Sequence, residues 1–160
     1  MLKSLVLCMA LLPATALAWD TPLAAMEGFL AWELAGGRLQ TDEENMARHV
    51  HLDPDTEGGG ADTLAVTDGY RIDTPRCKAD RCEVKVHFHL PGMKDAHDLF
   101  VANGKKARTE KIPFVVTKRD GQWRVHWESL PGQPYVSPAA LAAHRATLAA
   151  DEEGNEEAGE

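Results

Sequence analysis

Cys77 and Cys82 stand just before an unbroken alternation, Glu83-Val84-Lys85-Val86-His87-Phe88-His89-Leu90. A period of two over such a run is the mark of a half-buried strand. Val84, Val86, Phe88 and Leu90 share one face; Glu83, Lys85, His87 and His89 share the other. Pro91–Gly92 stops the strand. The chain must therefore supply an apolar layer for one side of a sheet. In an oxidising compartment the two cysteines are expected to be joined, clamping a hairpin. The spacing is not C-x-x-C and no helix start flanks Cys77, so a redox role is not expected. Setting Cys77 opposite Cys82 in strict register would place Ile72 across from His87 and mix the faces. The sequence thus predicts an extra residue, a bulge, near Pro75–Arg76.

An oxidising destination is itself expected. Residues 1–18, MLKSLVLCMALLPATALA, read as a secretory leader: Lys3 begins it, Leu5–Leu12 is its apolar centre, and Ala16-Leu17-Ala18 is a small-x-small cleavage site. It is too short to span a membrane as a helix, and cleavage would discard Cys8. The expected location is periplasmic or secreted, with no membrane attachment afterwards. Residues 19–150 form one domain of ordinary size, and residues 151–160, DEEGNEEAGE, an acidic tail expected to be disordered. The formal charge is -8, and no basic cluster is dense enough to suggest nucleic acid as a partner.

Along the mature chain, Asp20 or Thr21 caps a helix that Pro22 begins and Gly36–Gly37 ends. Its stripe is Leu23, Met26, Leu30 and Leu34, widened by Phe29. Thr41 and Glu44 form a capping box for a short helix over Asp42–Arg48, whose C-terminal end suits His49. An acidic, glycine-rich loop follows. Leu64, Val66, Tyr70 and Ile72 suggest one long strand kinked at Asp68–Gly69. Residues 93–106 read equally as a short helix or as a strand near Asp98–Val101 with a turn at Asn103–Gly104. Ile112, Phe114 and Val116, a turn at Asp120–Gly121, then Trp123, Val125 and Trp127 make a second hairpin. Pro113 asks for an outer position or a bulge in it. A last helix, Ala139–Ala149, carries Leu141 and Leu148.

The order is helix, helix, then locally joined antiparallel strands, an α+β layer arrangement. In that order, in the kinked strand and in the Phe114–Trp127 hairpin, the chain resembles the NTF2-like (SnoaL-like) superfamily over Pro22 to about Leu130, with a cystatin-like sheet as its neighbour. The resemblance implies a long N-terminal helix in the concavity of a curved antiparallel sheet, cone-shaped, with a pocket between them. Trp32, Tyr70, Phe88, Trp123 and Trp127 are the residues that would line it. Enzymes of this superfamily hold a polar pair in the pocket; here the inward positions are apolar and the histidines fall on the opposite face.

No catalytic set emerges. There is no G-x-S-x-G, no H-E-x-x-H and no phosphate loop, and no motif calls for a cofactor. The expected function is an exported, non-catalytic module that binds a small apolar ligand or a protein partner, through the pocket or the sheet face. A homodimer through the sheet is one form this would take. A small acid–base enzyme is the alternative. A third reading is zinc or copper held by His87 and His89, joined by His126 if their strands are neighbours.

Overall fold

The computed structural model of the chain describes residues 19–40, 43–53, 62–93 and 100–157, with side chains to residue 150. The leader, the Thr41 cap and most of the acidic loop lie outside these residues, as do residues 94–99.

Thr21 caps the first helix, α1 (Pro22–Leu34), its Oγ1 accepting from Ala24 N at 3.1 Å, and proline occupies the first turn where no amide is needed. Gly36 leaves the helix at φ 92°, a left-handed conformation that glycine adopts without strain. The buried face is Ala25, Met26, Phe29, Leu30 and Glu33. The expected stripe is thus rotated: Leu23 is exposed and Leu34 half-buried. Glu33 causes the rotation. Its carboxylate, 1 % exposed, accepts from Arg38 through both oxygens, and Oε1 also accepts from Tyr135 N at 3.0 Å. Arg38 in turn donates to the Pro131 and Gln133 carbonyls, at 2.8 and 2.9 Å. A buried charge is tolerated only when paired and saturated with hydrogen bonds, as here.

The short helix α2 (Glu43–His49) runs into β1 (Val50–His51). The main sheet also contains β3 (Gly69–Ile72), β4 (Arg76–Lys78), β5 (Arg81–Leu90), β6 (Arg108–Arg119) and β7 (Gln122–His126). The order is β1-β7-β6-β5-β3, with β4 beside β3 on the same edge of β5. All neighbours are antiparallel except β1, which lies parallel to β7. The expected kinked strand is instead two strands. β2 (Ala65–Val66) leaves the main sheet to pair with β8 (Tyr135–Val136), and only β3 joins β5. The break comes at Thr67, whose hydroxyl donates to the Gly69 and His89 carbonyls and turns the chain.

The disulfide and the bulge are both present. Cys77 and Cys82 are bonded and directly paired. Tyr70 pairs with Phe88 and Ile72 with Val86, whereas Arg76 pairs with Glu83. Asp73, Thr74 and Pro75 therefore oppose only Val84 and Lys85, and the extra residue restores the face on which Ile72 belongs. The β6–β7 hairpin turns at Asp120 (φ 52°) and Gly121 (φ 78°), a pair of left-handed residues suited to tight hairpins. Pro113 lies where β6 has no β7 neighbour, since that pairing covers only Val116–Arg119.

The inner face of the sheet holds Val84, Val86, Phe88, Leu90, Phe114, Val116, Trp123 and Val125, all buried beneath α1. Phe88 and Tyr135 stack with centroids 4.0 Å apart, and Phe29 meets Phe114 at 5.7 Å. Each ring so buried contributes roughly 1.5–3 kcal/mol relative to exposure. Helix α3 (Pro138–Glu157) closes the chain, with Leu141 packed on Leu64, Val66 and Val136. It continues through the acidic residues to Glu157, so the segment expected as a disordered tail is helical over most of its length. No helix among the described residues is long and apolar enough to cross a membrane.

Candidate functional site

The space between helix and sheet is filled. Phe88 is fully buried and covered by Tyr135, and Trp123 is a core residue 8 % exposed. Trp32 stacks on His49 at the end of α1, with centroids 5.1 Å apart. Tyr70, opposite Phe88 on the edge strand, is 42 % exposed, and Trp127 opens a 3-10 turn beyond β7. The five residues expected around a pocket are thus dispersed among core, helix end and edge. Aromatic side chains of this size close the interior instead of lining it.

The polar chemistry lies on the outside of the sheet, at its two ends. The register fixes which residues appear there: Arg81, Glu83, Lys85, His87 and His89 of β5 beside Thr117, Val115, Pro113, Lys111 and Thr109 of β6. Across β5 stand Gly69 and Arg71 of β3. His87 Nε2 donates to Asp73 Oδ2 at 3.0 Å, and Arg71 Nη1 to Asp73 Oδ1 at 2.5 Å. The hydrogen bond from His87 holds Asp73 below the usual carboxylate range, against a smaller desolvation effect and with help from Arg71. His89 Nδ1 reaches Asp68 Oδ1 at 2.5 Å. Two shallow clefts run along this end and share Arg71. One, about 490 Å³, includes Asp73, Arg76, Glu83, Lys85 and Lys111; the other, about 560 Å³, includes Asp68, Tyr70, His87 and His89. Asp73 and Glu83 answer Arg71 and Lys85. Arg76 and Lys111 have no ion-pair partner among the described residues.

The other end is built by β1 and β7. Their parallel register sets His51 beside His126. His51 Nδ1 lies 3.0 Å from Thr117 Oγ1. Burial, then Arg124, Arg119 and His126, lower the His51 pKa to about 4, so the ring is neutral near pH 7. His126 is 8 % exposed, with Nε2 3.4 Å from Glu128 Oε2, and its Nδ1 is buried without a hydrogen-bond partner among the described residues. Asp53 accepts from Arg119 at 3.2 Å.

The expected grouping of His87, His89 and His126 does not form, because β6 lies between β5 and β7. Each histidine of β5 meets an aspartate of the β3 side instead, and His126 meets residues of β1. Sequence reading missed His51 and Asp53 as neighbours of His126, because a two-residue parallel strand leaves no periodic signal.

No family model matches the chain. No curated protein matches it either. Among solved structures, it is similar to one described as an NTF2-like transpeptidase from Campylobacter jejuni, at 12% identity, over 66% of this chain and 97% of that one, with a TM-score of 0.38. That is a loose likeness.

Proposed function

We propose that the protein is an exported, non-catalytic module that binds an extended acidic segment of a partner protein along the outside of its sheet at β3. The carrying observation is the trough over Arg71, Arg76, Lys85 and Lys111 at a sheet edge that has no strand beyond it among the described residues. Edge strands present unpaired backbone groups to an added strand, and alternate side chains then select it. Tyr70 and Ile72, which face the inner side, would meet its apolar positions; Arg76 and Lys111 would meet its carboxylates. Export is supported by the leader and by the Cys77–Cys82 bond. The filled interior favours the sheet face over a pocket for a small apolar ligand. An acid–base enzyme would use the Asp73–His87 pair, but that pair borders an open trough, where water is not excluded from a proton transfer.

The test is fluorescence anisotropy of the purified protein with a labelled peptide alternating glutamate and valine. Saturable binding is expected, weakened at least ~tenfold by Arg76→Glu with Lys111→Glu and by added salt. Equal binding of a glutamine–valine peptide, or no effect of the charge reversal, would overturn the reading. Sedimentation of the same variants separates a second copy of the chain from a foreign partner: a dimer that the charge reversal dissociates would assign the face to self-association.

A further inference from the structure

Two short motifs face each other at the β1–β7 edge. His51-Leu52-Asp53 follows β1 outward, and His126-Trp127-Glu128 follows β7. The strands are parallel, with His51 level with His126. Residues an equal distance beyond a matched pair emerge at the same end, so the register brings Asp53 and Glu128 to His126. One ligand atom each from Asp53, His126 and Glu128 lie within 4.8 Å of one another.

We propose that Asp53, His126 and Glu128 form a site for a divalent ion of zinc type, with solvent completing the coordination. The donor set is one imidazole and two carboxylates, which suits a borderline cation better than calcium, since calcium takes oxygen ligands alone. Zinc holds such atoms at ~2.0–2.2 Å. Ligand atoms around it then sit roughly 3.3 Å apart; His126 Nε2 and Glu128 Oε2 already stand 3.4 Å apart, and no separation in the set exceeds 4.8 Å. The side chains that would move are the exposed ones: Glu128 is 76 % exposed at its side chain and Asp53 40 %. His126 is the fixed member, buried on β7 and held by the sheet. Two carboxylates converge beside His126, and a cation bound there would take over from Arg119, which lies 3.2 Å from Asp53. The site is separate from the β3 trough, because β6 and β5 lie between.

The experiment is isothermal titration of the tag-free, chelator-treated protein with zinc sulfate, with calcium chloride as a second arm. One zinc per chain is expected. Glu128→Gln and Asp53→Asn, both on exposed side chains, should each weaken it at least about tenfold. His126→Asn should abolish it, with circular dichroism checking that the buried substitution leaves the fold intact. His87→Asn with His89→Asn should leave it unchanged. Cobalt used in place of zinc should show a visible absorption that Glu128→Gln alters. Absence of stoichiometric zinc binding would overturn the proposal. So would binding indifferent to Glu128→Gln and Asp53→Asn, loss on replacing His87 and His89, or a preference for calcium.

Discussion

Two residues carry most of the risk in this core. Glu33 is charged, 1 % exposed, and paired with one cation among the described residues, Arg38. Arg38→Met should cost about 3–5 kcal/mol in urea denaturation, because it strands a buried carboxylate. Glu33→Leu added to Arg38→Met should recover much of that, less about 1 kcal/mol for the Tyr135 amide that loses its acceptor. A double variant no better than the single would deny that charge burial is the cause. His49 offers a test of pH. Burial, then Arg48 and Arg124, hold its pKa below the ordinary histidine value of 6.5. The unfolded chain therefore takes up a proton before the folded one does. The stability contributed by neutral His49 is full above about pH 6.5 and is lost as pH falls toward the lower folded value. Thermal melts should show Tm dropping as pH falls from about 8 to about 5, with part of that slope removed in His49→Phe. His51 shifts the same way and keeps the remainder. An unchanged slope would exclude His49. A cap at Asp20 or Thr21 and the placement of His49 near the end of α2 were legible from residue type alone, and the structure selects Thr21. Glu33 was not: its burial rests on Arg38, five residues on beyond the Gly36 turn, together with the amide of Tyr135, 102 residues away.

Elements joined by short turns were legible, and elements joined across the chain were not. The alternation of β5, the Asp120–Gly121 hairpin and the bulge before Cys77 all follow from local pattern plus the rule that faces must match. The parallel pairs β1–β7 and β2–β8 have two residues per strand, too few for any period to register. Their lack of a local signal is also why His51 and Asp53 do not emerge from the sequence as neighbours of His126. The disulfide lies at the sheet edge and closes a loop between residues five apart. Cys77→Ser with Cys82→Ser should therefore cost only ~2 kcal/mol. Faster hydrogen exchange should be confined to Arg76–Glu83, and global collapse would contradict the edge assignment. The turn after α1 is less forgiving. A methyl group at Gly37 would run into the Trp32 ring, which His49 already covers on stacking. Gly37→Ala should lower stability by about 1–3 kcal/mol, despite the entropy gain that alanine brings to an unfolded chain. A rise in Tm would show that Trp32 moves freely.

Beside the Tyr135 and Thr67 contacts, one buried amide ties the small sheet to the end of β5. Asn103 is fully buried, accepts from Val66 N at 2.7 Å and donates to the Val66 and Pro91 carbonyls at 2.8 and 3.0 Å. Asn103→Leu leaves that amide and those carbonyls without their partner and should cost roughly 2–3 kcal/mol by denaturant titration. A near-neutral result would mean that β2 repairs its bonds elsewhere. The α+β class was legible at this scale because a helix with one apolar face and strands with one apolar face have few ways to combine. The filled interior was not, because aromatic residues read the same in a sequence whether they line a space or occupy it. The parallel pairing of Val50 with Val125 has a consequence in time. Strands β6 and β7 are joined by the Asp120–Gly121 turn, and β5 reaches β6 across residues 91–107, so all three pair with strands nearer in the chain than the partners of α1 and β1. Helix α1 and strand β1 have their partners on β7 and around Tyr135, far later in the chain. A chain emerging from its N-terminus must hold its first third unfolded until nearly all of it has appeared. Kinetic analysis should place Val84 and Phe114 in the folding nucleus and Met26 and Val50 outside it. For a protein expected to cross a membrane as an extended thread, the fold supplies its own delay.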